Sequence, residues 1–179
     1  VQIKELFLDI KSNEKKFLGA VIFQKSESDE SDDTFEVIDG QQRISTLFWI
    51  ECIVCFKAWE TSKEIREFLE DDEEKNKTEL NKLARKLDRF IQEVLVGLFT
   101  RTDKVNYSKL ECSLNDMGQF NAAIRKYVQP VAKSIDEDAQ PKPKSLGPIG
   151  EDRGNLTSAL ALIEEEINSH ILNSCPEPT

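Results

Sequence analysis

The sequence predicts an α+β fold in which a small sheet packs against a cluster of helices. Three observations predict it. Short runs rich in strand-forming residues occur mainly near the N-terminus. Long segments with apolar residues at helical spacing occupy most of the remaining chain. A turn signal, Asp39-Gly40, separates these two kinds of pattern.

The N-terminal part predicts a helix, a hairpin and a buried helix. Residues 2–12 carry apolar side chains at helical spacing. The apolar run from Phe17 to Phe23 predicts a buried strand, and the run from Thr34 to Ile38 predicts a second strand. The acidic, Ser-rich stretch 24–33 would join them as a long hairpin loop. From Gln41 to about Trp59 the pattern is apolar almost all round, which predicts a buried helix.

Two further helices are predicted at about 61–72 and 76–99, the second with a long apolar stripe. The stripe packs internally by default, although it could also meet a partner, so the oligomeric state is open. A short strand is expected at Lys109–Ser113. Asn115 or Asp116 would then cap a helix that ends at about Val128.

The C-terminal part predicts a loop and a last helix. Residues 129–153 contain four prolines and two glycines, which predicts a long, flexible loop. A strongly amphipathic helix follows from about Asn155 to Asn173. We expect one domain in two parts, with a core over residues 1–60 and a helical part over residues 61–179.

Charge and hydropathy exclude several classes of protein. The net charge of -10 argues against a broad nucleic-acid-binding face, which would need clustered Lys and Arg. A basic stretch does occur within the predicted helix 76–99, and the simplest interpretation is a solvated helix face. No run is long and apolar enough to span a bilayer, and no signal peptide is present. We therefore expect a soluble, cytoplasmic protein. The basic stretch consists of Lys82, Arg85, Lys86 and Arg89.

The cysteines and the single histidine do not predict a metal site. Cys52 and Cys55 form a CxxC pair, but a structural zinc site needs four ligands and no second pair is present. The pair also lies inside an apolar helix rather than at a helix start, as a redox pair would. We predict buried thiols. His170, on the last predicted helix, is interpreted as structural.

The candidate functional site is the segment from Asp39 to Arg43. A strand that ends in a Gly turn and runs directly into a helix directs free backbone N–H groups at an anion, and the helix dipole adds positive potential. Gly40 allows close approach of a ligand, Gln41 and Gln42 offer amides, and Arg43 offers a planar fork for phosphate oxygens. Asp39 would bind Mg²⁺, orient water or accept helix N–H bonds. On spacing alone, an ordinary capped turn is the favoured interpretation of the segment, because Asp-Gly before a helix is frequent.

Two stretches of the sequence resemble a known family. The run Phe17-Leu18-Gly19-Ala20-Val21-Ile22 and the run from Phe35 to Leu47, which contains Asp-Gly-Gln-Gln-Arg, resemble the family defined by its DGQQR motif. That family forms the N-terminal part of GmrSD-type, modification-dependent restriction enzymes and of related phage-defence proteins. Weaker similarity extends to the region from Leu110 to Phe120 and to the last helix.

The resemblance implies a sheet similar to ParB and sulfiredoxin, and a nucleoside triphosphate (NTP) as ligand. By position, Gly40, Gln41, Gln42 and Arg43 would bind the phosphates. Asp39, Gln41, Gln42 and Arg43 would take part in NTP hydrolysis: Arg43 as phosphate ligand, Gln41 or Gln42 positioning water, and Asp39 holding Mg²⁺ or water. DNA would be contacted through other parts of the parent protein.

The family pattern is not completely present in this chain. Family members have an upstream P-x-x-Q-R-x-Y-x-W segment that adds a strand and a second Arg, and often a downstream HNH nuclease domain. Neither is in this sequence, and the chain begins at Val1 with helix-like residues. We therefore expect a fragment of an NTP-dependent restriction endonuclease that holds half of a nucleotide site. The alternative is a non-catalytic module that senses nucleotide or DNA.

Overall fold

Helices dominate the structure and two small sheets accompany them, which confirms the predicted α+β class. The computed structural model describes residues 2–12, 19–25, 35–71, 77–102, 105–110, 117–142 and 156–174. The first elements are α1 (Gln2–Lys11), β1 (Ile22–Lys25), β2 (Phe35–Asp39), α2 (Gln41–Asp71), α3 (Lys77–Leu98) and β3 (Phe99–Thr102). The others are β4 (Val105–Ser108), α4 (Met117–Ala123), a π-helical turn (Ile124–Val128), α5 (Gln129–Ile135), β5 (Gln140–Lys142) and α6 (Leu156–Ser174).

Strands β1 and β2 form the expected antiparallel hairpin, but it is not buried. Phe23 pairs with Val37 in the register, and the ring of Phe23 meets the ring of Phe35 edge-on at 6.5 Å. Both phenylalanines are 55% exposed, and Ile22 is 53% exposed. The prediction of a buried strand is therefore wrong for these residues, because the two-stranded hairpin packs neither face into the core. Phe17, Leu18 and most of the predicted loop lie outside the described residues.

Helix α2 is one continuous helix of 31 residues, where the sequence predicted two. Its sequence contains neither Gly nor Pro, so nothing forces a break near residue 60. The hydroxyl of Thr61 donates to the carbonyl of Lys57, and that of Ser62 donates to the carboxylate of Asp88 on α3. The expected division of the domain at residue 60 thus falls inside a helix.

Helix α3 packs along α2 through part of its predicted apolar stripe. Ala84 and Ile91 are buried at this contact. Leu83 and Phe90 belong to the same predicted stripe but are 44% and 38% exposed. The stripe is wider than the face that α2 covers, so internal packing, which was the default expectation, leaves these two residues partly exposed. The four residues of the basic stretch are exposed, as predicted, and one of them, Arg89, pairs with Glu93.

A second sheet, which the sequence did not predict, has the strand order β3-β4-β5. Strand β4 is antiparallel to β3 and parallel to β5. The strand expected at Lys109–Ser113 instead ends at Ser108, where the buried hydroxyl donates to the carbonyl of Leu110. Residues 111–116, with the two candidate helix caps, lie outside the described residues.

Helix continues beyond Val128, where the sequence predicted a loop. The backbone N–H of Gln129 donates to the carbonyl of Ile124, five residues earlier, which closes the π-helical turn. Helix α5 then begins, with Pro130 in its first turn. Proline has no N–H to donate, and the first turn is the one place in a helix where none is required. The predicted loop 129–153 is therefore wrong for α5 and β5, and residues 143–155 lie outside the described part.

The core lies where α2, α3, α4, the π-helical turn and α6 meet. Trp49 and Phe120 are 2% and 1% exposed, and their rings pack at 5.0 Å. Helix α6 contributes the buried residues Leu160, Ile163 and Ile167, so the predicted last helix is confirmed. Among the described residues, no helix is long and apolar enough to cross a bilayer.

Candidate functional site

Gly40 forms the turn between β2 and α2. Its φ of 87° lies in the left-handed region that side chains rarely adopt. A Cβ at this position would lie 3.1 Å from Cγ2 of Val21 and 3.3 Å from the carbonyl oxygen of Ala20. The conformation therefore favours glycine, and a side chain at this position would also press against Val21 and Ala20, just before β1.

The first turn of α2 exposes backbone donors next to Gly40. The N–H of Ile44 donates to the carbonyl of Gly40 at 3.1 Å, which makes Gly40 the N-cap residue. The N–H groups of Gln41, Gln42 and Arg43 then lie in the first turn, where a helix supplies no acceptor. The positive end of the helix dipole is at the same place. This end of α2 is thus electrostatically suited to an anion.

Two of the predicted site side chains are engaged by the main chain of the turn. Oδ1 of Asp39 accepts the N–H of Gly40 at 2.8 Å. Nε2 of Gln41 donates to the carbonyl of Val37 at 2.7 Å. In this bond the carboxylate of Asp39 accepts the N–H of Gly40, the residue that precedes α2. Gln42 is exposed, and its carbonyl accepts the hydroxyl of Thr46.

Arg43 reaches back from α2 to the segment that precedes β1. Its Nη1 donates to the carbonyl oxygen of Ala20 at 2.7 Å. Its guanidinium also covers Gly19, where a Cβ would lie 2.5 Å from Nη1 and 2.7 Å from Cζ. A guanidinium has five N–H donors, so others remain after this bond is made. Within the described part of the chain, Arg43 forms no ion pair with a carboxylate.

The structure therefore brings all five predicted residues, from Asp39 to Arg43, to one turn and adds Gly19 and Ala20 to the same place. Neither Gly19 nor Ala20 was among the site residues predicted from the sequence. Gly19 belongs to the first of the two stretches that resemble the DGQQR family, and that resemblance was the signal available for it. Their proximity to Arg43 depends on the hairpin, which returns the chain to the start of β1.

A second polar cluster joins α2, the π-helical turn and α6. Nζ of Lys126 donates to the hydroxyl oxygen of Tyr127 at 2.7 Å and to Oε2 of Glu164 at 2.9 Å. The hydroxyl of Tyr127 donates to the same Oε2 at 2.9 Å. Lys57 lies 3.9 Å from Oε1 of Glu164 and pairs with Glu60. The cluster ties three elements together over the buried ring of Tyr127.

Three groups of this cluster, Lys126, Tyr127 and Glu164, have a shifted pKa. Burial raises the pKa of Glu164, but the hydrogen bonds from Lys126 and Tyr127 and the charges of Lys126 and Lys57 outweigh it, so its net pKa is lowered. The hydrogen bond with Tyr127 is the largest cause of the raised pKa of Lys126, and the hydrogen bond with Glu164 raises it further. Burial is the main cause of the raised pKa of Tyr127. The charged forms of Lys126 and Glu164 stabilise each other while the hydroxyl of Tyr127 stays neutral, which is the pattern of a structural network.

The CxxC pair is buried, as predicted. Burial raises the pKa of the Cys55 thiol to about 12, and it raises that of Cys52 well above the usual range, with Cys55 and Glu51 adding to the effect. The Cys55 thiol contacts the carbonyl of Ile91 at 3.9 Å. Buried, protonated thiols are poor nucleophiles and poor metal ligands. Among the described residues, no group of three or more His, Cys, Asp or Glu side chains could hold a metal ion.

An apolar cavity of about 250 Å³ lies between α3, α5 and the second sheet. Its lining includes Leu95, Phe99, Val128 and Ala132, with Asp136 among the few polar groups. None of the five residues from Asp39 to Arg43 contributes to it. The cavity is therefore separate from the exposed turn that carries the candidate anion site.

The fold and the turn define an α+β domain with a Gly-initiated helix and an arginine that has no carboxylate partner in the described structure. Comparison with known families then identifies the domain. Residues 1–165 match the model of the GmrSD restriction endonuclease, N-terminal domain, so the chain belongs to this family. No curated protein and no solved structure matches the chain. The match confirms the family that the sequence resemblance implied.

Proposed function

We propose that this chain binds the phosphates of an NTP at the turn from Gly40 to Arg43. It would serve there as the nucleotide module of a DNA-targeting restriction or phage-defence protein. The observation that carries the proposal is the position of Arg43. Its guanidinium lies beside the N-terminus of α2 with no carboxylate partner in the described structure, although the chain has a net charge of -10. In an acidic protein, such a cation is suited to an anion that the protein itself does not supply.

The binding contributions follow from the geometry of the turn. The N–H groups at the start of α2 would donate to phosphate oxygens. Arg43 would add a charge-assisted hydrogen bond through the donors that Ala20 does not use. Gln42, which is exposed on the same turn, would supply an amide to the same ligand. Phosphate binding thus needs no rearrangement of the main chain.

Hydrolysis makes further demands on the same residues. Arg43 would stabilise charge that develops on the transferred phosphoryl group, and Gln42 would position the attacking water. A Mg²⁺ ion bound with the triphosphate would neutralise phosphate charge. Asp39 is the acidic residue of this turn, and its second carboxylate oxygen would hold the ion. Gln41 would have to release Val37 before it could orient water.

Non-catalytic sensing is the second candidate function, and two hydrogen bonds favour it. One oxygen of Asp39 accepts the N–H of Gly40, and the amide nitrogen of Gln41 donates to Val37. Two of the three groups that were predicted to hold water, Asp39 and Gln41, are thereby occupied in shaping the turn. A module in this state would bind nucleotide and report its presence without turning it over. DNA would be contacted through other parts of the parent protein in either case.

Binding and turnover can be separated with one matched pair of variants. Arg43→Ala removes the proposed phosphate ligand, and Arg89→Ala removes the same charge from an exposed, ion-paired position on α3. Affinity for GTP, ATP and CTP with Mg²⁺ would be measured by isothermal titration calorimetry, and phosphate release by a coupled assay. Loss of one charge-assisted contact should weaken binding by roughly 10- to 100-fold in Arg43→Ala alone.

Each result assigns one outcome. Hydrolysis that disappears in Arg43→Ala and persists in Arg89→Ala supports the NTPase. Binding without phosphate release, again sensitive only to Arg43, supports the sensor. Absence of nucleotide binding by the folded wild-type chain, or equal weakening in both variants, contradicts a phosphate site at this turn.

A further inference from the structure

The guanidinium of Arg43 fills the space beside Gly19 that a side chain at this position would need. A Cβ on Gly19 would lie 2.5 Å from Nη1, 2.7 Å from Cζ and 3.1 Å from Nη2 of Arg43. Real Cβ atoms do not approach other heavy atoms so closely, and the guanidinium therefore occupies the space that a side chain would need. The φ of Gly19, 96°, is also one that other residues rarely adopt.

The neighbouring residue holds the same guanidinium by a hydrogen bond. The carbonyl oxygen of Ala20 accepts Nη1 of Arg43 at 2.7 Å, across 23 positions of sequence. One end of the guanidinium is therefore anchored, and one of its surfaces is covered by Gly19. An arginine side chain is otherwise long and rich in rotamers, so an unanchored one loses conformational entropy when it binds a ligand.

We propose that Gly19 and the Ala20 carbonyl are a positioning element that fixes the Arg43 guanidinium for polyphosphate binding. The proposal rests on the phosphate site at Gly40–Arg43 and assigns it two residues that act through Arg43. A side chain at position 19 would displace the guanidinium and break the bond to Ala20. The remaining donors of Arg43 would then no longer be oriented before the anion arrives, and affinity would fall although every phosphate-contacting residue is intact.

A purely conformational role for Gly19 is the competing explanation. Its positive φ alone would make any substitution costly, whether or not Arg43 is present. The two explanations differ in how residues 19 and 43 are coupled. Backbone strain stays when Arg43 is removed, whereas the steric displacement of a guanidinium vanishes with it. A double-mutant cycle measures this difference directly.

The cycle uses the full 179-residue chain and four variants. These are Gly19→Ala, Arg43→Ala, the double variant, and Gly97→Ala as a matched control, because a Cβ on Gly97 meets nothing within 4 Å. Inorganic tripolyphosphate is the probe, followed by GTP, ATP and CTP, in calorimetric titrations. A second readout is the guanidinium NMR signal of Arg43, in which slow rotation of the Nη groups reports the anchor to Ala20.

The expected result is strong coupling. Gly19→Ala should weaken tripolyphosphate binding on the order of 10-fold, and it should add nothing in the Arg43→Ala background. The NMR signal of Arg43 should lose its slow Nη rotation in Gly19→Ala and keep it in Gly97→Ala. Gly97→Ala should bind tripolyphosphate as the wild type does.

Other results overturn the inference or the function beneath it. The positioning role is overturned if folded Gly19→Ala binds tripolyphosphate as tightly as the wild type, or if the losses of affinity add in the double variant. Either result leaves the phosphate site standing. A wild-type chain that binds neither tripolyphosphate nor nucleotide overturns the phosphate site and the positioning role together. If Gly19→Ala does not fold, Gly19→Asn takes its place in the cycle, because Asn tolerates a positive φ better and still collides with the guanidinium.

Discussion

The first residues of α2 and the aromatic residues that follow them in the same helix differ in their exposure to solvent and in the contacts that hold them. Gln41 and Gln42 begin the helix and are exposed, whereas Phe48 and Trp49 are 6% and 2% exposed. The buried residues are held by aromatic neighbours on other helices, such as Phe120 at 5.0 Å from Trp49. At the exposed start, the side chain of Gln41 instead donates to the carbonyl of Val37 in the preceding turn. One helix thus carries the candidate site at its start and the core directly after it.

The site and the core are therefore stabilised by separate means. The turn depends on two glycines with positive φ, Gly19 and Gly40, and on the anchor between Arg43 and Ala20. The core depends on buried apolar area. Substitutions of surface side chains in the turn should therefore change binding with little loss of stability, and core substitutions should do the opposite.

The largest expected effect is the loss of a core aromatic. Trp49→Ala should lower the free energy of unfolding by about 3–5 kcal/mol, because it removes a large buried side chain and leaves a cavity. The matched control is Phe23→Ala in the exposed hairpin, which should cost about 1 kcal/mol or less. Urea denaturation followed by circular dichroism measures both. Equal losses in the two variants would contradict the separation between hairpin and core.

The core illustrates how far the sequence led. The apolar pattern from Leu47 to Trp59 predicted a buried helix, and Phe48, Trp49 and Ile53 are buried as that pattern required. The hairpin shows the opposite case. Phe23 belongs to an apolar run that predicted a buried strand, and yet its side chain faces solvent. Local pattern indicates that a residue can be buried, but whether another element covers it is decided by tertiary packing.

The errors near the C-terminus have a common cause in proline. Pro130 and Pro141 predicted a loop, yet the first lies in the first turn of α5 and the second lies in β5. Proline is compatible with the first turn of a helix and with a strand at the edge of a sheet, which is where β5 lies. The site shows a different limit: the turn at Asp39-Gly40 is local and was predicted, whereas the contact of Arg43 with Gly19 joins distant parts of the sequence and was not.

An intermediate effect is expected at the cluster that ties α6 to the core. Glu164→Gln should lower stability by about 1 kcal/mol at neutral pH, because Lys126 and Tyr127 lose a charged acceptor. The pKa of Glu164 is lowered in the folded protein, so its contribution is present above its unfolded pKa and is lost as pH falls through the lower, folded pKa. The wild type should therefore lose its advantage over Glu164→Gln in acid.

Urea denaturation of both proteins between neutral pH and the acid range below the ordinary carboxyl pKa measures this effect. Lys63, whose partner Glu67 is 63% exposed, offers the control: Glu67→Gln should change stability little at any pH. A difference between wild type and Glu164→Gln that does not shrink in acid would contradict the proposed role of the carboxylate.

The smallest expected effect on stability is at the site itself. Arg43→Ala should change the free energy of unfolding by no more than about 0.5 kcal/mol, because its hydrogen bond to Ala20 is exposed. Urea denaturation under the conditions used for Trp49→Ala gives the comparison. A loss as large as that of Trp49→Ala would mean that Arg43 is a structural residue, and it would remove the distinction between the turn and the core.

The proposed phosphate site at the start of α2 can be tested by finding which residues of the chain bind phosphate. Titration of the ¹⁵N-labelled chain with inorganic tripolyphosphate, followed by amide NMR, reports which backbone groups meet it. We expect saturable shifts at the amides from Gly40 to Arg43 and none along the basic stretch of α3 from Lys82 to Arg89. Shifts centred on that basic stretch, or no saturable shift at the turn, would contradict the claim.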